Sequence, residues 1–203
     1  VTLVQALSAP DSSVRLRAAL AAGTDPDPAI VVPLVERCGT EPDFFVRDML
    51  TWALTRFPTE TTVPLLVAEL RSHHAQARSQ ALHSLSKIGE TSAWPAITRT
   101  LLHDEDDEVA RAAWRAAVAL APAAGHQQLA DDLASQLGRG NREVHRSLSR
   151  ALVSLGDVAE PAVSTATTSD DPQTRAHARA THMLLRDPDA GFDSLLDEAL
   201  RSC

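Results

Sequence analysis

Four arginines, Arg111, Arg115, Arg146 and Arg150, fall in two pairs four residues apart, with Trp52 and His83 upstream of them. Guanidinium groups one helical turn apart share a face and can grip carboxylates or phosphates bidentately. Trp is favoured where a partner is anchored in a desolvated contact. Asp48, one turn before Trp52, offers a second chemistry, because a carboxylate beside an aromatic wall could stabilise a developing oxocarbenium-like sugar. The remaining candidates are weaker. His73 and His74 are adjacent, and His177 and His182 are five apart, so neither pair has the i, i+4 spacing that aligns two metal ligands. These histidines read as solvated. The run Asp104-Glu105-Asp106-Asp107-Glu108 lacks the spaced ligands and turn glycine of a calcium loop and reads as an acidic helix cap. There is no glycine-rich phosphate cradle and no Ser-His-Asp grouping. No catalytic residue, metal or cofactor is expected, and the chain is not expected to be an enzyme.

The elements that carry these residues repeat. Six segments share a first residue that is Asp or Asn in five of them, two variable residues, a small or apolar residue and usually Arg: Asp11 to Arg15, Asp43 to Arg47, His74 to Arg78, Asp106 to Ala110, Asn141 to His145 and Asp171 to Arg175. Their fourth residues lie at 14, 46, 77, 109, 144 and 174, in steps of 32, 31, 32, 35 and 30. A period of this size marks stacked supersecondary units, not one closed core. Counting the fourth residue as offset zero, apolar or small residues recur at offsets 0, 4, 7, 8 and 11. In the fifth segment these are Val144, Leu148, Ala151, Leu152 and Leu155. That spacing is one stripe of an α-helix. The Asp or Asn caps its start, and Gly89 and Gly156 end two of these helices.

A shorter first helix precedes each second helix. It is marked by Val31-Val32-Pro33-Leu34-Val35, Val63-Pro64-Leu65-Leu66, Trp94-Pro95-Ala96-Ile97 and Glu160-Pro161-Ala162-Val163. Pro64, Pro95 and Pro161 are placed near helix starts, where a missing amide costs nothing, while Pro33 is expected to kink its helix after a cap at Asp27-Pro28. A first helix without proline is expected around 128–133.

Apolar-Pro-x-Leu followed by Asp-x-x-Val-Arg-x-x-Ala resembles HEAT repeats, in the short form of bacterial HEAT-like proteins, with the match weakening at His74, Ala110 and His145. The resemblance covers essentially the whole chain and extends to small HEAT-repeat domain proteins related to the repeat portion of some MerR-type regulators. No helix-turn-helix segment is read in these residues, so DNA reading is not carried over. The resemblance implies an all-α fold, an α-α superhelix (α-solenoid) of about six helical hairpins plus a terminal first-type helix near 192–196. One domain over 1–203 is the simplest division. It also implies that the second helices line a concave face.

On that face, offsets 2 and 6 lie opposite the buried stripe. Offset 2 reads Leu16, Asp48, Ser79, Arg111, Arg146 and Ala176; offset 6 reads Leu20, Trp52, His83, Arg115, Arg150 and Ala180. The second helices, taken as 11–22, 43–57, 75–88, 108–120, 142–155 and 172–186, hold 14 Lys or Arg against five Asp or Glu. Their excess of +9 sits in a 203-residue chain of net charge −8, leaving −17 elsewhere. A groove lined with one sign of charge concentrates ligands of the other. The expected partner is a protein or acidic peptide segment, and the expected function a binding scaffold or adaptor. Its surface would be Trp52, His83, Arg111, Arg115, Arg146 and Arg150. The alternative that this ladder is a solvated face stays open, as does burial of Trp52 between repeats. Arg15, Arg47, Arg78 and Arg175 are expected to bridge neighbouring repeats, and Trp94 and Trp114 to be core.

Nucleic acid is the rival partner, since HEAT-like alkylpurine DNA glycosylases place an Asp and Trp residues in a DNA-binding groove, as Asp48 and Trp52 could be. Net negative charge and a single groove aromatic disfavour it. No apolar stretch is long enough to cross a bilayer. Two distant cysteines, Cys38 and Cys203, make no disulfide framework and read as incidental, and a reduced, cytoplasmic monomer is expected.

Overall fold

The structure, a computed structural model, describes residues 2–201. Cys203 therefore lies outside the described residues. The fold is all-α, with no strand among the described residues. In chain order α1 is Leu3–Leu7, α2 Ser12–Thr24, α3 Val31–Thr40, α4 Phe44–Leu54, α5 Thr59–Glu69 and α6 Ala75–Ile88. Then come α7 Arg99–Leu102, α8 Asp107–Leu120, α9 His126–Ala134, α10 Arg142–Ser154, α11 Glu160–Ala166, α12 Pro172–Arg186 and α13 Phe192–Arg201. The even-numbered helices α2 to α12 are the six second helices, within three residues of the expected spans.

Backbone packing divides the chain into two compact units, Val1–Thr98 with Glu108–Leu120, and Arg99–Asp107 with Ala121–Cys203. In the first, α2 packs on α4 and α4 on α6, with α3 against α4 and α6 and α5 against α6. In the second, α10 packs on α12, α9 on α10 and α11, and both α11 and α13 on α12.

The expected stripe is the core. Val46, Leu50, Ala53, Leu54 and Phe57 are all buried, as are Val109, Ala113, Ala116, Ala117 and Leu120 of α8 and Val144, Leu148, Ala151, Leu152 and Leu155 of the α10 repeat. Caps fix where these helices begin. The Asp43 carboxylate accepts from the N–H groups of Phe45 and Val46, Asn141 from Glu143 and Val144, and Asp171 from Thr174. Gly89 ends α6 in the left-handed conformation at φ 74°, which a Cβ would oppose.

The repeated arginines brace their own turns, and Arg15 also makes the expected bridge between repeats. Each points back to its own hairpin turn and donates to carbonyls five and six residues earlier. Arg15 reaches Ala9 and Pro10, Arg47 reaches Glu41 and Pro42, and Arg175 reaches Ser169 and Asp170, while Arg78 reaches Ser72. The turn before a second helix leaves carbonyls without helical partners, and a guanidinium supplies the donors. Of the four, Arg15 also crosses to the next hairpin, through Glu41.

Two first helices differ from the sequence reading. Pro64 lies inside α5, whose start at Thr59 is hidden because its first turn, Thr59-Glu60-Thr61-Thr62, is polar throughout although Thr62 is buried. The segment around Pro95 is a 3-10 helix, Thr91–Ala96, and α7 begins only at Arg99. Ala93 and Ile97 before α7, and Leu101 within it, are each buried. Trp94 is only half-buried, whereas Trp114 is fully enclosed as expected. The terminal helix α13 lies across the offset 2 and 6 positions of α12. Phe192, Leu196 and Ala199 pack with Ala176, Ala180 and Leu184, so these two alanines face a helix and not a groove.

Candidate functional site

The first unit holds a groove of about 390 Å³ lined from α4, α6 and α8, including Asp48, His83, Arg111 and Arg115. Offsets 2 and 6 of α6 and α8 thus converge here as the helical period requires, joined by Asp48, the offset 2 residue of α4. Two lining residues were missed by the periodic pattern. Phe44, 66% exposed, sits two positions before the stripe begins, held there by the Asp43 cap, and Arg47 lies 5.9 Å from its ring centroid. The signal in the sequence was the Phe44-Phe45 doublet at a helix start, in a chain with only 3% aromatics.

Trp52 is not among the groove-lining residues. Its ring lies over Gly23 of α2, where an added Cβ would come within 2.4 Å of Cζ3, and the side chain remains partly exposed at 38%. Trp52 thus packs between neighbouring repeats, as one reading had it, and still shows an edge. Asp48 and Trp52, one turn apart, are not brought together as two walls of one groove.

Charge in this groove is unevenly matched. Arg111 pairs with Glu108 at 2.7 Å, while Arg115, one turn on, has no ion pair among the described residues. The Arg115 guanidinium is held below its ordinary pKa by desolvation first and by Arg111 second. The His83 imidazole is likewise pushed down by desolvation, then by Arg115 and Lys87, with Asp48 pulling the other way. Positive charge is thus crowded into a partly dehydrated space.

The second unit repeats this arrangement at a different site. Arg146 pairs with Asp193 of α13, and Arg150, one turn on, again has no ion pair among the described residues. Both line a cavity of about 660 Å³ with Val153, Leu184 and Phe192. The six expected surface residues are therefore distributed over two sites, one in each unit, with Trp52 beside the first.

A Ser-His contact exists that the sequence reading missed. His177 is fully buried, not solvated, and its Nε2 lies 3.0 Å from Ser149 Oγ and 3.0 Å from the His145 carbonyl. The Gly138 N–H donates to Nδ1, which fixes the proton on Nε2. Ser149 and Thr181 are hydrogen-bonded at 2.7 Å and equally buried, so no substrate reaches this cluster. Burial pushes the His177 imidazole down to about 3, with the stacked His145 ring adding to the shift. It is a neutral, structural group. His182 faces Glu160 at 3.5 Å. Among the described residues no group of three or more His, Cys, Asp or Glu is placed to hold a metal ion, and no helix is long and apolar enough to cross a membrane.

The family pattern of HEAT repeats matches residues 1–71 and again 42–119, more than half of the chain. The chain belongs to the HEAT-repeat family. The crystal structure of an engineered protein is similar to this HEAT-repeat chain over 91% of its residues and 97% of the other chain, at 18% identity and a TM-score of 0.48. The complex of CpcE and CpcF of phycocyanin lyase from Nostoc sp. PCC7120 is similar over 98% of this chain and 92% of the other, at 16% identity and a TM-score of 0.43. No curated protein matches the chain.

Proposed function

We propose that this HEAT-repeat protein is a non-enzymatic scaffold that holds acidic protein segments on the exposed faces of its second helices. The observation that carries this is the pairing pattern at offsets 2 and 6. The offset 2 arginines, Arg111 and Arg146, have carboxylate partners, whereas the offset 6 arginines, Arg115 and Arg150, have none among the described residues and each lines a cavity. A carboxylate entering beside Arg115 would meet a guanidinium whose charged form burial and then Arg111 already disfavour, and it would offset both. Phe44, and Trp52 nearby, offer apolar surface next to this charge, as interface anchors do.

The test is charge reversal. Tagged wild-type protein and the Arg115→Glu/Arg150→Glu variant are used to capture partners from lysate, with circular dichroism checking that the helices persist. Acidic proteins retained by the wild type should drop at least about tenfold with the variant, the equivalent of roughly 1.4 kcal/mol. Equal capture by a folded variant would reject both sites.

A further inference from the structure

The second unit already contains an acidic helix seated on an arginine ladder. Asp193 and Asp197 are four residues apart on α13, and they pair with Arg146 and Arg142, four residues apart on α10. Because Asp193 meets Arg146 while Asp197 meets Arg142, the two sequences run in opposite directions. One further step in that register sets Asp189 against Arg150. The two partners therefore spell the same spacing, Asp189, Asp193, Asp197 against Arg150, Arg146, Arg142.

Only two rungs close. Asp189 lies in the connection between α12 and α13, where Pro188 and Gly191 bracket the reversal of the chain, so it is not on the α13 helix. Arg150 is left facing the 660 Å³ cavity, whose apolar walls are Val153, Leu184 and Phe192. Both rungs that do form are solvent-exposed pairs, with side-chain exposures near one half: 48% and 47% for Arg142 and Asp197, 37% and 49% for Arg146 and Asp193. Exposed pairs hold weakly. Beneath them the contact is small, Phe192, Leu196 and Ala199 on two alanines and a leucine.

Resting on the acidic-segment function proposed for the second-helix faces, we infer that α13 is a resident stand-in for a partner: the α10–α12 face binds an amphipathic helix of another protein bearing three carboxylates at i, i+4 and i+8, which displaces α13. A free helix has no chain reversal to make, so it can place all three carboxylates on the arginine ladder and an apolar stripe on Ala176, Ala180 and Leu184. That is recognition by a helix in a groove, with α13 supplying two of the three charges. The resident helix lowers the apparent affinity of its replacement by the fraction of time the face is covered.

The probe is a fluorescent, helix-stabilised peptide copying residues 188–201 with Pro188→Ala and Gly191→Ala, so that all three aspartates share one face. Binding to the full chain is followed by anisotropy. We expect saturable binding that weakens about tenfold with Arg150→Glu, a residue α13 does not engage. The same peptide with Asp189→Asn should bind more weakly and lose most of its sensitivity to position 150. Asp193→Ala/Asp197→Ala in the protein should tighten binding, because the competitor is weakened. Absence of binding, indifference to Arg150→Glu, or unchanged affinity in the Asp193→Ala/Asp197→Ala protein would each overturn the inference. Loss of peptide binding with Arg115→Glu alone would move the docking site to the α4/α6/α8 groove, leaving the scaffold function standing and this assignment refuted.

Discussion

Glu41 receives two hydrogen bonds from Arg15, Nε to Oε2 and Nη2 to Oε1, each 2.7 Å, across 26 residues of sequence. The same carboxylate accepts from Arg37 Nε at 2.8 Å and from the Asp43 N–H at 2.9 Å, and the Glu41 carbonyl accepts from Gln76 Nε2 at 2.8 Å. Glu41 is fully buried. One residue thus joins the turns of three successive hairpins. Burial alone would raise its pKa, but the bonds from Arg15, the Asp43 amide and Arg37 outweigh burial and hold it at about 2.

Glu41→Ala leaves the Arg15 guanidinium buried without its anion. Breaking one side of a buried pair costs about 3–5 kcal/mol. Urea denaturation should show a loss of that size, against a much smaller one for Arg37→Ala, whose guanidinium is partly solvated.

Acid should unfold the protein in two overlapping stages. His177 is neutral in the native state with a pKa of about 3, while its unfolded value is near 6.5. Between those values the unfolded chain binds the extra proton, so stability falls as pH drops from 6.5 towards 3, by up to ~1.4 kcal/mol per pH unit. Above pH 6.5 this contribution is complete. Glu41, ionised in the native state down to about pH 2 against 4.5 when unfolded, contributes stability that is present above 4.5 and lost as pH falls to 2. Denaturant midpoints measured from pH 7 to 3 should therefore fall throughout. His177→Gln, which can still accept from Gly138, should flatten the slope between pH 6.5 and 4.5 and leave the lower range steep.

Gly23→Ala should force Trp52 off α2. The new Cβ would lie 2.4 Å from Trp52 Cζ3 and 2.9 Å from Ala53 Cα, so both a ring and a backbone must yield. Overpacking of this kind costs roughly 1–3 kcal/mol. The loss should appear in thermal unfolding together with a red-shifted Trp emission. Trp52→Leu in the same chain should recover part of the stability, but not the share owed to Ala53.

Cys38 should resist alkylation in the folded protein. Burial, followed by the Glu41 charge, pushes its thiol up to about 12, so almost no thiolate is present at neutral pH. In a Cys203→Ser background, iodoacetamide labelling should proceed only through opening of the fold. It should accelerate in Glu41→Ala in proportion to the stability lost, and equal rates in the two proteins would contradict the role given to Glu41.

Much of this was legible in the residues. The stripe at offsets 0, 4, 7, 8 and 11 named the core of α4, α8 and α10 because helical period and repeat period are both local properties of the chain. The caps at Asp11, Asp43, Asn141 and Asp171 followed from one side-chain oxygen and nearby amides. The arginine ladder and its offsets were equally local. Phe44, by contrast, escaped because it precedes the periodic stretch, and the polar first turn of α5 escaped because no apolar pattern marks it.

Tertiary structure alone decided which arginines are spoken for. Arg142, Arg146 and Arg150 are equivalent along α10, yet among the described residues two are paired and one is not, since pairing depends on where a helix fifty residues later comes to rest. Likewise His177 is solvated or buried only by virtue of what covers α12. A helix's sequence sets which residues share a face, by its period. What that face meets is fixed by contacts between distant segments, whose geometry no local spacing encodes.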